Sequence, residues 1–144
     1  MTNFSFWHRL LLIVGVLISV FGILMAFLSG TLLFDSFNRQ IDPVFWGRSV
    51  IEESARGFQQ WIYGVWGATI AGWGIFVVFI AHYPFRNRER WVWKCLVAGM
   101  LAWFVLDTSL SIFHKVYFNA ALNTALLILA MLPIIATRKD FAEG

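Results

Sequence analysis

Residues 10–33 read LLLIVGVLISVFGILMAFLSGTLL, a run without one charged side chain. A helix needs about 20 consecutive apolar residues to cross the hydrocarbon core of a bilayer. This run supplies them, with Trp7 at its mouth. His8 and Arg9 ahead of it imitate the start of a secretory leader. The apolar stretch is too long for a leader's core, however, and no A-x-A site closes it, so it reads as an uncleaved span.

Three more runs of the same kind follow, at about 61–83, 91–113 and 116–136. The second ends at Pro84. The fourth carries Pro133 near its end, where neighbouring groups can re-satisfy the freed carbonyl. Trp61, Tyr83, Trp91, Trp93 and Tyr117 stand near the ends of the runs, where an interfacial belt of aromatic side chains belongs. The expected fold is an all-α membrane protein: one four-transmembrane-helix bundle occupying residues 1–144 as a single domain.

Composition agrees with the lipid bilayer as its solvent. Of 144 residues 60% are apolar and only 13% are charged, against about 25% charged in soluble domains. A chain this short has too little interior to hide so much apolar surface from water. The net charge of +3 comes from arginines and lysines placed between the apolar runs, which points to membrane orientation and away from nucleic acid. Arg9, Arg86, Arg88, Arg90, Lys94, Arg138 and Lys139 fall on one side; Arg39, Arg48, Arg56 and Lys115 fall on the other. The excess places both termini and the 84–90 connection in the cytoplasm. The very short connections suit a bacterial cytoplasmic (inner) membrane. Cys95 is the single cysteine, so paired-thiol redox chemistry and cysteine metal sites are excluded. His8 and His82 sit at span ends, too far from a bundle interior for axial haem ligation, and no metal or other cofactor is expected.

The outer segment from Asp35 to Gln60 is the one sizeable connection. Asp42 before Pro43 has the form of a helix cap followed by proline in the first turn. Val44, Ile51, Ala55, Phe58 and Ile62 then recur at helical spacing, which predicts an amphipathic helix over the outer mouth or along the interface. Within the spans, Gly15, Ser19 and Gly22 in the first and Gly64, Ala68 and Gly72 in the second form rows of small residues, with Gly67 and Ala71 beside them. Such rows let two backbones approach closely, so spans one and two are expected to pack together.

Asp107 stands in an otherwise apolar helix. A carboxylate there costs a few kcal/mol to insert, so it should face the bundle interior and have partners. Ser111 and His114 follow on roughly the same face, and Asn119, Asn123 and Thr124 begin the next span. A tight reversal at Lys115 sets Asp107 level with Asn123 and Ser111 level with Asn119, as two polar ladders facing each other. On the same outer side the second span offers Gln60 and Tyr63. The set Asp107, Ser111, His114, Asn119, Asn123, Tyr63 and Gln60 forms the candidate ligand or ion site, a polar pocket opening outward. Hydrogen bonding between the two helices accounts for the ladders equally well without any ligand.

Three functions fit, in this order. The first is a non-enzymatic accessory or interaction subunit of a membrane complex, with a membrane protein partner or a homo-oligomeric one. The second is a small oligomeric transporter or channel that uses Asp107 as an ion- or proton-linked carboxylate. The third is a binding protein or enzyme for a lipid-like molecule. No nucleophile, phosphate-cradling or zinc signature supports catalysis.

Overall fold

The computed structural model describes residues 3–47 and 51–141. Among them every regular element is helical: α1 (Phe4–Leu28), α2 (Asp35–Trp46), α3 (Glu53–Ile80), α4 (Arg90–Phe113) and α5 (Tyr117–Ala136). All except α2 are long and apolar enough to cross a membrane; the second of these continues as one helical segment to Phe85. Large apolar side chains cover their outer faces, among them Phe27, Phe76, Leu106 and Phe113.

The boundaries follow local chemistry. The Asn3 side chain accepts from the Phe6 amide and starts α1 six residues before the apolar run itself. Thr31 donates its hydroxyl to the Leu28 carbonyl at 2.7 Å, so α1 stops before the last residues of that run. Likewise α3 starts at Glu53, eight residues ahead of the apolar stretch that announces it. It runs into a wider π-helical turn at Ala81–Phe85, where Pro84 cannot donate to the helix. The chain then turns through Arg88 in the left-handed region (φ 57°). Between α4 and α5 it reverses at Lys115, also left-handed (φ 63°), with the Val116 amide returning to the Ser111 carbonyl at 2.8 Å.

The outer segment differs from expectation. Asp42–Pro43 does not open a helix; both lie near the end of α2, which starts at Asp35 with an acid favourably in its first turn. Pro43 falls late enough that it frees one carbonyl only, and Gly47 ends the helix with φ 65° and its amide on the Pro43 carbonyl. The apolar positions from Val44 to Ile62 therefore do not share one helix: Val44 lies in α2 and Ile51 between α2 and α3. Ala55, Phe58 and Ile62 lie in α3, and Phe58 points outward. The stop signal at Gly47 outweighs the start signal at Asp42.

Side by side, α1 packs against α3 and α5, and α4 packs against α5. The consecutive helices α3 and α4 meet through long side chains, with Trp73 against Trp103 at 5.4 Å between ring centroids. The α1–α3 seam is the closest approach in the molecule. A methyl group added at Gly22 would stand 2.6 Å from the Gly67 carbonyl oxygen, and one at Gly67 would stand 2.6 Å from that of Gly22. Gly74 in turn lies against Ser19, and Gly15 against Val78. On the α3 side the seam is thus Gly67, Ala71 and Gly74. Gly64 only borders it, Ala68 is exposed and Gly72 faces open space. The expected row sits one helical position away from the row that α1 selects, since Ile70, Ala71 and Tyr63 must also turn inward.

Two cores stack along the bundle. The larger comprises Leu11, Val14, Ile18, Val77, Phe85, Val92, Met100 and Ile134, and it reaches the end where both termini and the α3–α4 turn meet. That end is sealed by aromatic rings: Phe4, Phe85 and Phe141 touch one another, and the Arg88 guanidinium lies 4.7 Å from the Phe4 centroid. The last carbonyls of α5 are satisfied there by the Thr137 hydroxyl and the Trp93 indole. The smaller core, built on Met25, Phe34 and Tyr63 with Phe37 and Ile41, lies at the opposite end.

Candidate functional site

At that opposite end α2 lies across all four long helices. Phe37 packs on Phe21 of α1 and edge-on to Phe118 of α5, Asp42 bonds to Gln59 of α3, and Phe45 rests on His114 at the end of α4. Two separate polar groups are found near it.

The first joins α4 to α5. Asp107 Oδ1 accepts from Asn123 Nδ2 at 2.8 Å, Asn119 Nδ2 at 2.8 Å and the Ser111 hydroxyl at 3.2 Å. The Ser111 hydroxyl also donates to the Asp107 carbonyl at 2.8 Å and accepts from Asn119 Nδ2 at 2.8 Å, while Asn123 Nδ2 donates to the Thr108 hydroxyl at 3.3 Å. The left-handed turn at Lys115 sets this register: equal numbers of residues either side of it reach equal depth. Ser111 and Asn123 are buried and Asp107 is half-buried. Every donor is neutral and comes from this chain. Hydrogen bonds to a charged acceptor are stronger than neutral ones, so converging two amide donors and a share of the Ser111 proton on one oxygen offsets much of the cost of placing a carboxylate here.

The second group lies between α2, the end of α1 and the start of α3. Asp42 is 5% exposed, and its Oδ1 accepts from the neutral Gln59 Nε2 at 2.6 Å. Beside it opens a polar cavity of about 220 Å³, walled by Ser29, Gly30, Asn38 and Gln60 and rimmed by Arg39 and Arg56. Asn38 Oδ1 is buried and has no hydrogen-bond partner, and the buried Tyr63 hydroxyl lies beside Gln59 and Asp42. An unmet oxygen like that of Asn38 is uncommon, since buried polar atoms are nearly always paired.

The sequence-predicted set is therefore divided. Asp107, Ser111, Asn119 and Asn123 come together; Gln60 and Tyr63 belong to the second group. His114 joins neither: it caps α4, exposed, with its ring between Phe45 and Phe113. Asp42, Asn38 and Asp35 escape sequence reasoning because Asp42–Pro43 reads as a helix start. The signal that finds them is their spacing, at positions 35, 38 and 42, which is one face of a helix opposite exposed Gln40 and Ser36. Among the described residues no group of three or more His, Cys, Asp and Glu side chains is placed to hold a metal.

Comparison with family models, curated proteins and solved structures finds no match.

Proposed function

We propose that this chain is a four-span integral membrane protein serving as a non-enzymatic accessory or interaction subunit, by way of its helix exteriors. Both termini and the 84–90 connection lie in the cytoplasm, in a bacterial inner membrane, with α2 roofing the outer mouth along the interface. One observation carries this reading: the Asp107 network is satisfied by donors of its own chain, so its charge is used in joining α4 to α5. What remains for a partner is the apolar, aromatic-rich outer surface, including Phe76, Phe79 and Trp66 on α3. Apolar patches of this extent mark lipid or protein contact.

A second reading has its own support. The donors around Asp107 are all neutral, and an asparagine in its place would join the helices at lower cost of insertion. A proton- or ion-linked carboxylate in a small oligomeric transporter has a reason to be acidic that helix joining lacks.

Native mass spectrometry of the tagged, full-length chain in mild detergent, as wild type and Asp107→Asn, separates the two. The subunit reading expects a reproducible protein partner retained by both. A small molecule or ion bound to the wild type and lost in Asp107→Asn, with no protein partner, overturns it in favour of transport.

A further inference from the structure

The Asp42 cavity has a charge arrangement that defines a ligand. Its walls include two acids, Asp35 and Asp42, and two arginines, Arg39 and Arg56. The pairs are not mixed at random. Asp42 is buried at 5% exposure and receives a hydrogen bond from a neutral amide, while both arginines stand at the exposed rim. A buried carboxylate is stable when matched by a positive charge or several donors. Among the described side chains Gln59 is the one donor to Asp42. The inner part of the site thus asks for hydrogen-bond donors carrying positive charge, and its rim asks for an anion, which arginine forks bind in bidentate fashion.

We propose that this cavity binds a zwitterion bearing a primary ammonium, seated with its ammonium on Asp42 and its anionic group between Arg39 and Arg56. A simple cation would leave the arginines unused, and a simple anion would meet the buried acid. The volume of about 220 Å³ falls below the roughly 300–1,000 Å³ of pockets for drug-sized molecules and suits a group the size of a phosphoethanolamine. A trimethylated ammonium is excluded by chemistry, because it has no N–H to give. The same ammonium-and-anion pair is presented by an aminophospholipid headgroup and by a soluble phosphoamine. The soluble form is tested in detergent and needs neither a bilayer nor the proposed subunit role.

The test is isothermal titration of the full-length chain in mild detergent with O-phosphoethanolamine and, separately, with phosphocholine. Saturable binding of the first, at least tenfold tighter than the second, is expected. Asp42→Asn should weaken it at least tenfold. Arg39→Gln combined with Arg56→Gln should weaken phosphoethanolamine at least tenfold but ethanolamine less than twofold. Repeating the titration in nanodiscs of phosphatidylethanolamine and of phosphatidylcholine identifies the source. Competition by the first lipid alone assigns a headgroup as occupant, and competition by neither assigns the soluble compound; both outcomes uphold the site. Absence of saturable binding, equal binding of the two phosphoamines by the wild type, or unchanged binding by a folded Asp42→Asn overturns it.

Discussion

Two acids, Asp107 and Asp42, sit near the same end of the bundle and are treated in opposite ways. Asp107 collects three neutral donors on one oxygen, and the structure prepares for it: a left-handed turn fixes the register, and two asparagines one helical turn apart reach across. Asp42 is the more buried of the two yet accepts from Gln59 alone among the described side chains, beside an open cavity. The contrast separates what each carboxylate is for. One that is saturated by its own chain contributes to stability; one that is left short of donors next to open volume is kept for something that arrives from outside. Counting acids in a sequence cannot make that distinction, whereas counting their donors can.

The comparison can be broken or sharpened by substitution. The largest effect is expected from Gly22→Val, which drives a branched side chain into the Gly67 backbone and should cost about 3 kcal/mol by overpacking. Because Ser29 and Gly30, just after α1, and the start of α3 wall the Asp42 cavity, this change should loosen that site while leaving the α4–α5 network in place. The cost of Asp107→Ala measured in the Gly22→Val background, unchanged from its cost with the intact seam, checks the second half of the claim. Next comes Asp107→Ala, which strands the two asparagine amides and should lower stability by about 2 kcal/mol in reversible detergent unfolding. Asp107→Asn keeps an acceptor oxygen and should recover most of this. Smallest is Asp42→Asn, expected to change stability by no more than about 0.5 kcal/mol, since the amide oxygen still accepts from Gln59 and no charge has to stay buried. A loss from Asp42→Asn as large as that from Asp107→Ala would make both acids structural and erase the contrast.

Much of this architecture is legible in the residues alone. The four long helices follow from apolar runs, and the pairing of Asp107 with Asn123 and of Ser111 with Asn119 follows from a single assumption, a reversal at Lys115. Short-range geometry is readable because helical rise and period are fixed. The remainder depends on competition between signals that are individually valid. Asp42–Pro43 is a good helix start, but Asp35 and Gly47 bracket a better helix around it. Two rows of small residues on α3 are equally suited to close packing, and the choice of Gly67, Ala71 and Gly74 is made by what else must be buried, Tyr63 and Ile70 among them. The Asp42 cavity was out of reach for the same reason: it exists only once α2 is placed correctly over α1 and α3.

The packing of α5 against α1 also sets an order of assembly. During synthesis α4 and α5 emerge in succession and can zip together around Lys115 as soon as the ribosome releases them, a local event with little chain to close. The helix α1 has no such neighbour. It waits for α3 to complete its glycine seam, and the surface carrying Leu11 and Val14 stays uncovered until Ala130 and Ile134 of α5 arrive. A ribosome stalled after α4 would therefore hold a chain whose α1 is still half bare, a natural substrate for whatever quality control patrols unfinished bundles.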